Sequence, residues 1–528
     1  MIQKANADGR RLYPRFLIQP QKTSFSLPNR AHTVVGTIFE IAEDSLTCRF
    51  EKNPDLVIGE NIVLFSSDSS SRSITGKIAS LNISGDQIRA GLFFPKGGVG
   101  THFPEFSREL RGDSRKKQRG LRGGEADGQR EFERRGFWPG LLDKRYFSHY
   151  IWGLKKANTY FFMTPLQSGT GAHVKVAGRD MIMMSSNNYL GLSVHPRVKE
   201  AAKSAIDKYG SSPSASSLLG GTLDIHLELE EALARFKGTE AACVFSAGYT
   251  TNLTTLLTIL GKGDSVFFDD KNHASLMDGV RLSGADGRAY LHKNVADLEV
   301  KLSHSKSKNK LVVTDTVFSM DGDFAPLPEI YRVAKRHNAA MMVDEAHATG
   351  VFGENGRGLL EHFHMEGKPE LVMGTLSKAL SGVGGFIAGS KELIRILKHT
   401  ARAFVFSAAI PPSVCAAILE CLKIISEEPE RRKKLWENTR KMREGLKALG
   451  FNTGESQTPI IPVIFPREEQ TIWMTRGLRE AGIYVTPAVY PAVKKNATRV
   501  RTTIMATHSD ADIDTALSAF KKVRNGMP

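Results

Sequence analysis

From about Gly136 onward the chain alternates short apolar runs with amphipathic stretches of 10 to 15 residues. AACVFS, SVFFDD, KLVVTD, AAMMVDEA and ELVMGT read as buried strands, because a strand covered on both faces is apolar nearly throughout. Between them, HLELEEALARFKGT and LPEIYRVAKRHN repeat apolar positions at helical spacing, the second with Pro328 near its start. The alternation predicts an α/β fold, a mostly parallel sheet with crossover helices. After Ile410 a long helix, PPSVCAAILECLKIIS, alternates with strand-like IIPVIF and RVRTTIM, which predicts a second, smaller α/β domain.

The first 98 residues have another texture. HTVVGTIFEIA, SLTCRFE, ENIVLFS, SITGKIASLNI and IRAGLFF are short alternating segments separated by Asp, Ser, Gly and Asn turn signals. They predict a small β-barrel of its own. Residues 99–140 are rich in Gly, Arg, Lys and Glu and bury too little surface to offset ordering entropy, so they read as a flexible basic linker. The catalytic body is then 141–528, with a large domain over about 185–410 and a small domain built from the flanking segments and 411–528.

Composition narrows the class. Of 528 residues, 41% are hydrophobic and 24% charged, as in ordinary globular proteins. No apolar run approaches the roughly 18 residues of a membrane span, and no apolar core follows the N-terminal charges as in a signal peptide. Four cysteines without a CxxC pair predict neither a disulfide framework nor a metal site, and a cytoplasmic setting is expected. The formal net charge of +16 draws anions: nucleic acid, a membrane surface met peripherally, or a coenzyme A thioester. Zinc-finger spacing, an aromatic RNA-binding signature and a long basic block are all absent, which argues against nucleic acid.

The candidate chemistry lies at predicted strand ends. In GTLSKALSGVGGFIAG, Lys378 follows an apolar run beside Thr375 and Ser377 and ahead of glycines that let a ligand approach the backbone, a setting for a Schiff base with an aldehyde cofactor. In MMVDEAHATG an apolar strand ends in Asp344, with His347 three positions later. A pyridinium nitrogen needs such a buried carboxylate, and a donor near the phenolic oxygen sharpens the same polarisation. Asp344 and Lys378 are 34 positions apart, about one strand–helix–strand unit, which delivers both to one sheet edge. In FSAGYTTN a strand runs into Gly248 and Tyr249 at a helix start, a seat for phosphate that the hydroxyls of Ser319, Thr375 and Ser377 complete. His273 sits just past another strand end, where an imidazole can stack on a flat ring.

The array SNNYLGL, GTLDIHLELE, SAGYTTN, HASLMDG, TDTVFSMDGD, VDEAHATGVFGENGRG, GTLSKAL, FSAAIPP and TPIIPVIF, ending in RVRTTIMATH, resembles the α-oxoamine synthases. These are fold-type I pyridoxal-phosphate enzymes that condense an amino acid with an acyl-CoA and release CO₂. The resemblance runs from about residue 145 to 525 and is nearest bacterial serine palmitoyltransferases, then glycine C-acetyltransferase, then 8-amino-7-oxononanoate synthase. It implies that Lys378 is the Schiff-base lysine and moves the α-proton. By the same resemblance Asp344 pairs with the ring nitrogen, His347 lies near the phenolic oxygen and His273 stacks on the ring. Gly248, Tyr249, Ser319 and Thr375 would cradle the phosphate, and Asn187 and Arg501 would hold the substrate carboxylate. A homodimer is expected on the same ground. Two departures bear on substrate binding: Ala215, Ser216 and Ser217 stand where relatives usually read glycine–serine–arginine, and Pro491, Ala492, Val493 and Lys494 replace the usual PxVP.

Residues 8 to 98 resemble a PilZ domain, a small barrel that binds cyclic di-GMP. Arg11 and Arg15 match its RxxxR, and paired guanidiniums suit phosphates and guanine edges. The second motif, DxSxxG, falls on Glu40, Ala42 and Ser45, none of which matches. The module either binds the nucleotide or is a degenerate docking or regulatory domain. A body idle in catalysis under cyclic di-GMP control, and a plain aminotransferase, are the rival functions.

Overall fold

The computed structural model describes residues 153–157 and 159–527 in full and, before them, the backbone of six strands. These are β1 (Phe16–Ser26), β2 (Thr33–Ala42), β3 (Ser45–Phe50), β4 (Asn61–Ser66), β5 (Ser69–Ser84) and β6 (Gln87–Phe93). They pair antiparallel in the order β1-β2-β3-β6-β5-β4 and close on themselves. Arg11 and Arg15, the cyclic di-GMP site expected of them, and the linker 99–140 lie outside the described residues. The chain divides into two compact units, Met1–Asn158 and Thr159–Pro528. The second holds all the candidate chemistry of the resemblance to α-oxoamine synthases.

That unit opens with β7 (His173–Val176) and β8 (Arg179–Met183), then builds its main sheet from seven strands. They are β9 (Ala241–Phe245), β10 (Ser265–Asp269), β11 (Asp286–Tyr290), β12 (Lys310–Asp315), β13 (Ala340–Asp344), β14 (Leu371–Thr375) and β15 (Gly385–Gly389). Their order is β11-β10-β12-β13-β14-β15-β9, parallel except for β15, which runs antiparallel to both neighbours. The central strands are buried almost throughout, as the apolar runs predict. Alternate side chains feed two cores: Phe267, Val312, Val343 and Val372 enter one, and Val266, Leu311, Val313 and Met342 the other. The helix with Pro328 in its first turn, Leu327–Arg336, covers this sheet as expected of a crossover. Two strands of this sheet were not foreseen. β11, DGRAY, is a polar edge strand with little apolar signal, and β15, GFIAG, hides its strand character in small residues.

The C-terminal part adds β16 (Ile460–Phe465), β17 (Ile483–Tyr484), β18 (Thr486–Ala488) and β19 (Thr498–Thr503). β16, β19 and β18 form one antiparallel sheet, while β17 pairs with β8 and β8 with β7. The C-terminal part therefore shares a sheet with the segment that precedes the main one. Cys243, Cys415 and Cys421 are buried thiols, and among the described residues no helix is long and apolar enough to cross a membrane.

Candidate functional site

Parallel strands in register deliver their last residues to one edge, and that edge collects Asp315, Asp344 and Thr375 from β12, β13 and β14. Asp344 is buried with a donor on each oxygen. Asn252 Nδ2 lies 2.7 Å from Oδ2, and the Ala346 N–H 2.8 Å from Oδ1. Asn252 reaches it from helix Gly248–Ile259, one turn beyond Gly248 and so on the same face.

Lys378 stands three residues past the end of β14. Burial pulls its amine down to about 8, against the opposing pull of Asp344 and Asp315. His273 caps helix Ala274–Ser283, and its Nδ1 accepts from the Ser275 N–H at 3.3 Å, so the ring proton resides on Nε2. Burial lowers its pKa and keeps the ring neutral at pH 7. The edge of Tyr249 meets it with ring centroids 6.3 Å apart.

His347 is buried and pushed well below the usual imidazole range by burial, then by Lys378 and Arg501. Its Nδ1 lies 2.7 Å from the hydroxyl of Tyr189, a phenol that burial raises to about 12. The nearby Arg501 guanidinium opposes that rise. A protonated phenol that donates to Nδ1 leaves Nε2 of His347 as a donor. Arg501, on β19, is aimed by three acceptors: Ser319 O at 2.6 Å from Nε, Thr503 Oγ1 at 2.9 Å from Nη1, and Asn187 Oδ1 at 3.1 Å from Nη2. Asn187, Ser319 and Arg501 are thus one cluster.

Helix Gly248–Ile259 begins without a side-chain cap, so the first-turn N–H groups of Gly248, Tyr249 and Thr250 point out of its end. Thr375 Oγ1 and Ser377 Oγ, 2.9 Å apart, stand beside it. A Cβ on Gly248 would come within 3.0 Å of Thr375 Oγ1, and one on Gly385 within 2.8 Å of Gly248 Cα, so glycine at both positions lets the helix start press against the sheet. The side chain of Tyr249 does not join this seat: it is 43% exposed and its hydroxyl bonds Asp278. Only its backbone is in place.

Sequence reasoning missed Tyr189, Asn252 and Asp315. Tyr189 and Asp315 lie inside SNNYLGL and TDTVFSMDGD, and Asn252 one turn past Gly248, but only the packing shows what each touches. The group Asp269, Asp270 and His292 has ligand atoms within 4.8 Å, yet both imidazole nitrogens of His292 are bonded to carboxylates, Asp269 and Asp323, at 2.9 Å each. These contacts make an ion-paired knot.

The donor set fits pyridoxal phosphate: a buried anion with oriented oxygens, a lysine poised near neutrality, a flat neutral imidazole, and an uncapped helix start flanked by hydroxyls.

Comparison with known proteins agrees. The family model for aminotransferase class I and II matches residues 179–520. An 8-amino-7-oxononanoate synthase of Thermoanaerobacter pseudethanolicus is 47% identical over 372 residues, spanning 70% of this chain and 94% of the relative. A serine palmitoyltransferase of Sphingobacterium spiritivorum is 41% identical over 387 residues, spanning 73% and 97%. Among solved structures, SPT with PLP is similar at a TM-score of 0.70 and 36% identity, covering 72% of this chain and 98% of that one.

Proposed function

The chain belongs to the class I and II aminotransferase family, within it to the α-oxoamine synthases, pyridoxal-phosphate C-acyltransferases that join an amino acid to an acyl thioester; from this premise we propose that its substrates are L-serine and a long-chain acyl-CoA. The observation that carries the reading is the meeting of Lys378, Asp344 and His347 with the aimed guanidinium of Arg501 at one sheet edge. Its choice of serine is supported by the likeness to SPT structures in fold and to a serine palmitoyltransferase in sequence.

Pyridoxal phosphate supplies an electron sink for the carbanion formed when the α-carbon of the amino acid loses its proton. This chain's residues do the rest. Lys378 Nζ would hold the cofactor aldehyde and would take the proton from the α-carbon. Asp344 would hold the ring nitrogen protonated, the Nε2–H of His347 would donate to the phenolic oxygen, and His273 would stack on the ring. First-turn N–H groups at Gly248 and Tyr249, with the hydroxyls of Ser319, Thr375 and Ser377, would bind the phosphate. Arg501 and Asn187 orient the amino acid by its carboxylate, a bidentate task that suits a guanidinium.

A second reading is favoured by the 47% identical relative. A product bearing an amine on carbon 8, a ketone on carbon 7 and a terminal methyl arises, by atom balance, from alanine and a seven-carbon dicarboxylic acyl thioester. The test is one series on the purified protein loaded with pyridoxal phosphate. Serine, glycine and alanine are added singly with thioesters of graded length, and thiol release and product mass are recorded. Thiol release with serine and long chains only is the expected outcome; alanine with a seven-carbon dicarboxylic acyl group establishes the second reading, and glycine with a short chain a glycine C-acetyltransferase. No thiol release from any pairing overturns all three.

The homodimer expectation is supported by Leu218, Leu219 and Phe406, apolar side chains exposed on neighbouring turns. Cyclic di-GMP binding at Arg11 and Arg15 is tested by titrating the nucleotide against the full chain and its Arg15→Ala variant.

A further inference from the structure

Two carboxyl groups stand side by side at the edge of the main sheet. Asp315 and Asp344 end the adjacent parallel strands β12 and β13 in register, so their side chains leave the same face at roughly the 5 Å spacing of neighbouring strands. Both are buried. Two carboxylates at that separation in a buried site do not both ionise cheaply, and the one with more donors keeps the charge.

The donors are unequal. Asp344 has one on each oxygen, from Asn252 Nδ2 and the Ala346 N–H. Asp315 has one alone: the backbone N–H of His273, 2.5 Å from Oδ2. Its Oδ1 has no hydrogen-bond partner among the described residues. Of the other groups that face Asp315, Lys378 beyond β14 favours ionisation, while Asp269 at the end of β10 opposes it as Asp344 does.

We propose that the pair carries a single negative charge, on Asp344, and that Asp315 is a neutral carboxylic acid, a positioning residue that holds the backbone of His273 and leaves Asp344 the lone anion facing the ring nitrogen. Burial and the neighbouring Asp344 both push the Asp315 carboxyl well above the usual range. The neutrality of Asp315 has a consequence at Lys378. With one of its two opposing carboxylates uncharged, burial dominates at the amine and keeps it a ready nucleophile. The inference rests on the cofactor site and is indifferent to which amino acid the enzyme takes.

The test reads the proton directly. Infrared spectra of the cofactor-free full chain at neutral pH are compared between wild type and Asp315→Asn. The wild type should show a protonated-carboxyl C=O band that the variant lacks. Asp315→Asn, which keeps an acceptor for the His273 N–H and mimics the neutral acid, should hold pyridoxal phosphate within about threefold of wild type. Asp315→Leu, which removes the acceptor, should weaken binding by about tenfold. A difference spectrum in which the variant loses a carboxylate band instead overturns the proposal, as does a loss of affinity in Asp315→Asn equal to that in Asp315→Leu.

Discussion

Lys378 carries opposing influences on a single amine: burial lowers it to about 8 while Asp344 pulls upward. Its folded pKa lies below the ordinary lysine value of 10.5, so the reactive free base appears as pH rises through about 8. The rate of cofactor uptake by the apo-protein should rise about tenfold per unit below that pH and level off above it, followed by absorbance in stopped flow. Lys378→Ala should abolish both the imine absorbance and thiol release. Arg501→Lys keeps the charge but loses the fork held by Ser319, Thr503 and Asn187. We expect KM for the amino acid to rise by roughly 10- to 100-fold, the scale of one charge-assisted bidentate contact, measured by initial rates. Of these residues, Lys378, Asp344, His347 and His273 were legible as types in a setting, and Arg501 through the resemblance alone. Tyr189 and Asn252 were not, because a phenol on an imidazole or an amide on a carboxylate is a contact across more than 90 residues of chain.

Among the elements, helix Asp224–Lys237 ends in a lysine that by position belongs on a solvated last turn. The fold buries it instead, 1% exposed, where Nζ meets Glu345 Oε2 at 2.7 Å and Thr349 Oγ1 at 2.8 Å and also bonds Arg357 O. Glu345 Oε1 in turn accepts from the Leu360 N–H at 2.9 Å, so the pair ties both ends of the loop that carries His347. Lys237→Met should strand the carboxylate and cost about 3–5 kcal/mol in urea unfolding, and adding Glu345→Gln should return part of it. A second element-scale device works through pH. His292 is raised to about 9 by Asp269 and Asp323 despite burial. A raised folded pKa means the contribution is full below the unfolded value of 6.5 and is lost as pH rises through about 9. Unfolding midpoints scanned from pH 6.5 to 9.5 should fall in wild type and fall less in His292→Gln. The apolar runs predicted the central strands because a strand covered on both faces has to be apolar. β11 and β15 escaped because a polar edge and a small-residue strand leave no such trace.

At the scale of the whole molecule, the exposed Leu218, Leu219 and Phe406 bear on assembly. Sedimentation equilibrium should read about 116 kDa, twice the chain mass of 58.1 kDa, and Leu219→Asp should move it toward the monomer. The sequence by itself determined the α/β class, the positions of the buried strands, the family and the residue types of the cofactor site. These rest on local periodicity and on short motifs read within a few residues, and local information is written along the chain. Tertiary structure alone decided the register that sets Asp315 beside Asp344, the phenol of Tyr189 set against His347, and the burial of Lys237. Each is a meeting of residues from separate elements, and its energy depends on water removed and charges brought together, which no single segment encodes.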